Sequence, residues 1–171
     1  MLIPHRTKSF VIFSNAFNST DPTFLEAFFD KFEKYLSEEA IVRLLLTQND
    51  EHKKSLLLAI WSKSKKVFDV YWNFMLKHLK DQKLKDLLLF SDSQSFTAFH
   101  HAATRDNDEI FSIVQEFYQN NLEIPEFCEL FTPYRRFLLQ MIANSSLKIC
   151  KSIALQTEIL YGNDKSKMTE F

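Results

Sequence analysis

The residues best suited to chemistry are two adjacent histidines, His100 and His101, and two cysteines, Cys128 and Cys150. An imidazole beside a thiol could form a nucleophilic pair, and imidazoles with thiolates could bind zinc. Side chains of adjacent helical residues point about 100° apart, so the two histidines cannot chelate one metal ion. The chain contains neither H-E-x-x-H nor C-x-x-C, the spacings that mark zinc sites. We therefore expect no metal, and we expect both cysteines to act as small buried apolar side chains.

The scarcity of glycine excludes several further kinds of site. Gly162 is the only glycine, so the chain cannot form a G-x-G-x-x-G loop, a Walker loop or a G-x-S-x-G elbow. A Cys–His enzyme would need a pairing that no spacing in the sequence predicts. We therefore expect a protein without catalytic activity, cofactor or small-molecule substrate.

The composition favours an all-α fold. Apolar residues make up 46% of the 171 residues, which is enough for a real core. One glycine and four prolines leave little turn chemistry for an all-β chain. Long stretches of Leu, Phe, Lys and Glu favour helices.

Charge and hydropathy bear on the partner and the compartment. The net charge is −1, which gives no electrostatic reason to bind nucleic acid. No apolar run approaches the ~18 residues of a membrane span, and Phe10–Phe13 is too short for the core of a signal peptide. We therefore expect a cytoplasmic protein, with the nucleus as the alternative, that has reduced thiols and binds no membrane.

An apolar stripe in the second half of the chain recurs at an interval of 43 residues. Residues 110–122 carry apolar side chains at i, i+3, i+4, i+7 and i+8, which is one face of an amphipathic helix. The positions 43 residues earlier are all apolar, and those another 43 earlier are apolar except for Lys31. Ala102, Ala59 and Ala16 keep the same register. Such a register across several elements predicts a repeat array.

Each unit of the array is predicted to contain a turn, a short helix, a polar turn, a long helix and a short third helix. In the first unit, Asp21 followed by Pro22 predicts the start of the long helix. We expect one repeat domain over residues 1–161 and a flexible C-terminal tail over residues 162–171. The predicted units cover approximately residues 4–46, 47–89, 90–132 and 133–161.

One unit carries a family motif. The period alone is typical of HEAT or armadillo arrays. The stretch from Asp92 to Ala103 reads D-x-x-S-x-T-x-F-H-x-A-A and resembles the ankyrin pattern D-x-x-G-x-T-P-L-H-x-A-A. This resemblance implies an ankyrin-like solenoid of about four helical units that binds a partner protein through its concave face and loop tips. It also implies that His100 is structural, bonded to the neighbouring turn.

The resemblance also indicates which side chains would face a partner. Trp61 aligns with Thr104, and in ankyrin units this position and the next face the concave surface. Trp and Arg are common at binding hot spots, which favours Trp61 and Arg105. The same resemblance to ankyrin units adds residues at the tips of the loops to this set. The candidates for protein binding are therefore Trp61, Arg105, Thr104, Lys53, Gln94 and Phe96.

Two other interpretations stay open at this point. The chain could be a compact helical bundle that regulates a partner by binding its helix in a groove, or it could be a fragment of a longer ankyrin scaffold. Stacked units would favour the solenoid, whereas a central helix wrapped by the others would favour the bundle.

Overall fold

The computed structural model describes residues 16–18, 20–47, 55–62, 64–105, 107–123, 126 and 130. Every regular element among these residues is an α-helix, which confirms the predicted all-α class. The chain divides into two compact units, Met1–His101 and Ala102–Phe171. The predicted fourth unit, the predicted tail and both cysteines lie outside the described residues. The helices are α1 (Pro22–Tyr35), α2 (Glu38–Leu46), α3 (Ser55–Ile60), α4 (Lys65–His78), α5 (Asp81–Leu88), α6 (Ala98–Thr104) and α7 (Asp108–Asn121).

The helix positions follow the interval seen in the apolar stripes. The long helices α1, α4 and α7 each contain 14 residues and begin 43 residues apart. The shorter helices α2 and α5 begin 43 residues apart, and so do α3 and α6. Within the described residues the order of short, long and short helix is complete in α3, α4 and α5, and parts of it recur in α1–α2 and in α6–α7.

Polar side chains at the helix starts explain why the turns fall where they do. Asp21 accepts a hydrogen bond from the Thr23 amide at 3.0 Å, with Pro22 as the first residue of α1, as predicted. Ser37 Oγ accepts from the Ala40 amide at the start of α2. Asn107 Oδ1 accepts from the Ile110 amide at 3.1 Å at the start of α7. Each bond satisfies an amide that the helix itself leaves unpaired.

The core of the first unit forms where α1 packs on α4. The Phe29 ring stacks on Phe74 with centroids 3.8 Å apart, and Phe17 meets the edge of Tyr71 at 5.3 Å. The buried Tyr71 hydroxyl lies 2.7 Å from Ser55 Oγ, which donates to the Leu45 carbonyl at 3.1 Å. Burial raises the pKa of Tyr71 above its ordinary value, so the phenol stays neutral. This short polar chain ties α2, α3 and α4 together inside an apolar core.

A charged cluster joins the same helices at the edge of the core. Lys77 Nζ lies 2.6 Å from Glu33 Oε1. The His78 ring places Nε2 at 3.1 Å from Glu33 and Nδ1 at 2.8 Å from Glu38. The hydrogen bonds from Lys77 and then from His78 hold the pKa of Glu33 below its usual range. The end of α4 is thus fastened to α1 and to the start of α2.

The second unit contains α7 and the last residues of α6. One face of α7 is buried, with Ile110, Phe111, Val114 and Tyr118 in the core of that unit. None of the helices in the described part of the chain is long and apolar enough to cross a membrane.

Candidate functional site

The candidate site is the loop between α5 and α6, together with the residue that follows α3. Asp92 lies at the base of this loop and is buried. Its Oδ1 accepts hydrogen bonds from the backbone amides of Gln94 at 2.8 Å and Phe96 at 3.0 Å. The Asp92 amide also donates to the Phe96 carbonyl at 3.0 Å. One buried carboxylate therefore closes residues 92–96 into a tight loop.

Ser95 occupies the position of the glycine in the ankyrin pattern. Its φ is +66°, in the left-handed region that glycine adopts at little cost. A residue with a Cβ atom in that region costs about 1–2 kcal/mol. The hydrogen bonds of Asp92 hold the loop in this conformation and offset the cost.

His101 links the loop to the residue that follows α3. Its Nε2 lies 2.8 Å from Asp92 Oδ2, and Trp61 Nε1 donates to its Nδ1 at 3.3 Å. Since Nδ1 accepts this bond, the ring proton sits on Nε2 and is donated to Asp92. The Trp61 and His101 rings meet edge to face, with centroids 5.1 Å apart. Trp61, which is 40 positions from His101 in the sequence, is thus joined to His101 and Asp92 in one chain of hydrogen bonds.

His100 fixes the start of α6. Its Nδ1 accepts from the Thr97 amide at 3.1 Å and lies 2.8 Å from Thr97 Oγ1. Both residues are buried. The contact lies within the turn of the motif itself, and it holds the first residues of the helix in place.

Asp–His pairs also occur in many catalytic sites. The protonation and the hydrogen bonds of Asp92 and His101 therefore bear on whether this pair could take part in catalysis. Burial alone would raise the pKa of Asp92, but hydrogen bonds from the Phe96 amide, His101 and the Gln94 amide outweigh it and lower the pKa. The carboxylate is therefore charged at neutral pH. Both nitrogens of His101 are already engaged, one by Asp92 and one by Trp61. In this arrangement His101 offers no lone pair to a substrate, and the pair holds the loop.

Within the described ranges, no three side chains of His, Cys, Asp or Glu come together in a group that could hold a metal ion. Beside the charged cluster at the end of α4 lies a depression of about 370 Å³, whose lining includes Glu38, His78 and Lys83. Each nitrogen of His78 is within hydrogen-bonding distance of a glutamate. This depression therefore has the chemistry of a charged junction between helices.

The structure brings part of the predicted binding set together. Trp61 and Phe96 are both partly exposed, and their rings lie 5.1 and 5.8 Å from His101. Gln94 is exposed at the loop tip. In the second unit, Thr104 is partly exposed and Arg105 is exposed just after α6.

The structure leaves one member of this set undescribed and adds one contact that the sequence did not predict. Lys53 lies outside the described residues. The bond between Trp61 and His101 was not predicted, because the two residues are 40 positions apart and no periodic pattern couples them. Asp92 was predicted only as a motif position, and its buried role in the loop comes from the fold.

Comparison of the chain with protein-family models, with curated proteins and with solved structures finds no match in any of the three.

Proposed function

We propose that this chain is a protein–protein interaction module, an ankyrin-like array of helical units that binds a partner protein without catalysis. The proposed contact residues in the first unit are Trp61, Gln94 and Phe96. Thr104 and Arg105 are the proposed contact residues in the second unit.

The observation that carries the proposal is the preorganised loop. Ser93, Gln94 and Ser95 are exposed, while Asp92 beneath them is buried and bonded to two amides of the same loop. An exposed tip on a buried polar base is held in one conformation before any partner arrives. Binding by such a loop loses less conformational entropy than binding by a flexible one.

Trp61 adds a rigid aromatic group to this surface. It is partly exposed, and its indole N–H is bonded to His101, so its ring orientation is set by the same network as the loop. Tryptophan contributes large apolar area and few rotatable bonds, which is why it is frequent at binding hot spots. The partner surface that fits would offer an apolar contact for the ring and a hydrogen-bonding group for Gln94.

The positions of the helices support the array. Helices of the same kind recur every 43 residues, and the equivalent long helices α1 and α4 pack against each other in the first unit. Repeats that bury their apolar faces on their neighbours form extended surfaces and need no pocket.

The test is affinity capture from native cell extract with Gln94→Arg and with Asn73→Arg as the matched control. Both positions are exposed polar residues, so both variants add the same side chain without disturbing the core. We expect Gln94→Arg to lose, by at least fivefold, a protein that the wild type and Asn73→Arg retain. Equal recovery of every captured protein by the two variants would refute the loop as the binding surface.

Trp61→Phe and Arg105→Ala extend the same test. Trp61→Phe keeps an aromatic ring but removes the hydrogen bond to His101, and Arg105→Ala removes an exposed side chain of the second unit. Both variants should weaken capture of the same protein while circular dichroism stays that of the wild type. Binding that is unchanged in both would remove these two residues from the proposed contact residues of their units.

A further inference from the structure

One face of α1 leaves large apolar side chains in water. Phe24 is 54% exposed and Tyr35 is 67% exposed, and Leu36 follows Tyr35 at the end of the helix. Phe24 and Tyr35 are eleven positions apart, which is about three helical turns, so they lie on the same face. Phe28 and Phe32 lie between them and are partly exposed. The aromatic face of α1 is defined here as Phe24, Phe28, Phe32, Tyr35 and Leu36.

The equivalent positions of the other long helices are buried. The residue 43 positions after Phe24 is Val67, which is 0% exposed, and the next equivalent is Ile110, which is 1% exposed. Leu36 corresponds to Leu79 and Leu122, and both are buried. The same face is therefore covered in α4 and in α7 but is open in α1.

The packing of α1 on α4 shows what covers that face. Phe29 of α1 stacks on Phe74, the residue equivalent to Lys31, and lies 6.4 Å from the ring of Tyr71, the residue equivalent to Phe28. Glu33, four positions after Phe29, pairs with Lys77 at 2.6 Å. The covering helix thus presents an aromatic residue followed, one turn later, by a carboxylate.

The open face of α1 carries the matching cation. Lys34 is the residue 43 positions before Lys77, and it is exposed. Tyr35 is equivalent to His78, whose ring is bonded to Glu33 and Glu38 in the internal junction. The ammonium groups of Lys34 and Lys31 lie 5.3 and 5.9 Å from the centroid of the Tyr35 ring. A partner for this face therefore needs an aromatic side chain that can lie beside both Phe28 and the Lys31 ammonium group, and acidic groups near Lys34.

We infer that the aromatic face of α1 binds an amphipathic helix of a partner protein, with an aromatic residue and an acidic residue four positions after it. This helix would lie on α1 as α1 lies on α4, with its carboxylate on Lys34 as Glu33 lies on Lys77. The inference is independent of the proposed function, since Trp61 and the loop at residues 92–96 take no part in it.

The probe is a peptide that carries only the covering face of α1. It contains residues 21–37 with Phe24, Phe28 and Phe32 each replaced by Gln, so that Phe29 and Glu33 remain. A short helix is unstable alone, so Asp30→Lys in the peptide allows a lactam bridge to Glu26 on its polar side. Binding to the full chain is followed by fluorescence anisotropy of the labelled peptide.

We expect the peptide to bind the wild-type chain and to bind Phe24→Asp at least tenfold more weakly, as expected for an aromatic contact at the centre of an interface. Lys34→Glu in the chain should weaken binding about two- to fivefold, as expected for an exposed ion pair. Glu33→Lys in the peptide should weaken it equally, and the two changes together should restore it. Lys66→Glu, with the same change of charge on an exposed residue of α4, is the control and should bind normally.

Three results would overturn the inference. One is binding that Phe24→Asp and Lys34→Glu leave unchanged, or no binding at all. Another is self-association in analytical ultracentrifugation that Phe24→Asp abolishes and excess peptide does not displace, which would assign the face to a second copy of this chain. The third is binding to anionic phospholipid vesicles through Phe24 without binding to the peptide, which would assign it to a lipid surface.

Discussion

Replacing Asp92 by asparagine tests whether the loop, His101 and Trp61 form one hydrogen-bonded unit. The new side-chain oxygen can still accept from the Gln94 and Phe96 amides. The amide nitrogen, however, would face the Nε2 proton of His101, so two donors would meet at a distance now set at 2.8 Å. If the ring proton moved to Nδ1 instead, the Trp61 N–H would lose its acceptor.

In either tautomer an N–H group, that of His101 or that of Trp61, is left without its acceptor, and the negative charge of the carboxylate is lost. A hydrogen bond to a charged group contributes about 1.5–3 kcal/mol, so we expect the variant to lose about 2–3 kcal/mol of the free energy of unfolding. Both tryptophans, Trp61 and Trp72, belong to the first unit, so urea unfolding followed by tryptophan fluorescence reports this unit. The indole N–H resonance of Trp61 in a ¹H–¹⁵N spectrum should also move.

Asp86→Asn is the matched control, because Asp86 is exposed and accepts a single bond from Gln82. A change at such a surface position should stay within about 0.5 kcal/mol. Suppose that Asp92→Asn loses no more unfolding free energy than this control and that the indole resonance of Trp61 does not move. The inference that Asp92, His101 and Trp61 form one hydrogen-bonded unit would then be wrong.

Three further predictions concern the backbone, the core and the response to acid. Ser95→Gly should stabilise the chain by about 1 kcal/mol because it relieves a left-handed φ, whereas Ser93→Gly should not stabilise it; urea midpoints compare the two. Tyr71→Phe should cost about 1 kcal/mol in the same assay, since it removes a buried hydrogen bond. The pKa values of Asp92 and Glu33 are lowered by folding, so their stabilisation is present above the unfolded values of about 4 and is lost as pH falls through the folded values below them. Stability measured from pH 7 to pH 2 should fall in that acid range, less steeply in Glu33→Gln.

The helices were predictable because their signals are local. Periodic apolar residues place the long helices, and Asp21 marks a start that the structure shows as an N-cap. The predicted interval of 43 residues reappears in the helix starts because one supersecondary unit carries one set of local signals. Such signals act within one helix and do not depend on what packs against it.

The candidate site was predictable only in part because its decisive contacts join distant residues. The motif pointed to Asp92 and His100, and the alignment of units pointed to Trp61. The bond from Trp61 to His101 depends on how α3 and α6 approach, and neither residue type nor spacing encodes that approach. Sequence patterns indicate which side chains need a hydrogen-bonding group nearby, but tertiary packing determines which group that is.

The contrast between α1 and α4 follows the same logic. An apolar stripe shows which face of a helix avoids water, but it does not show what covers that face. Val67 is buried in the core, while the side chain of Phe24 at the equivalent position is exposed to solvent. Apolar contacts alone would accept many helices, because they are non-directional. An ion pair such as Lys77 with Glu33 is more selective. At the open face, the equivalent cation Lys34 would accept only a partner helix that has a carboxylate at the matching position. Specificity at the open face should therefore depend on Lys34 more than on Phe24, even though Phe24 contributes more of the binding energy.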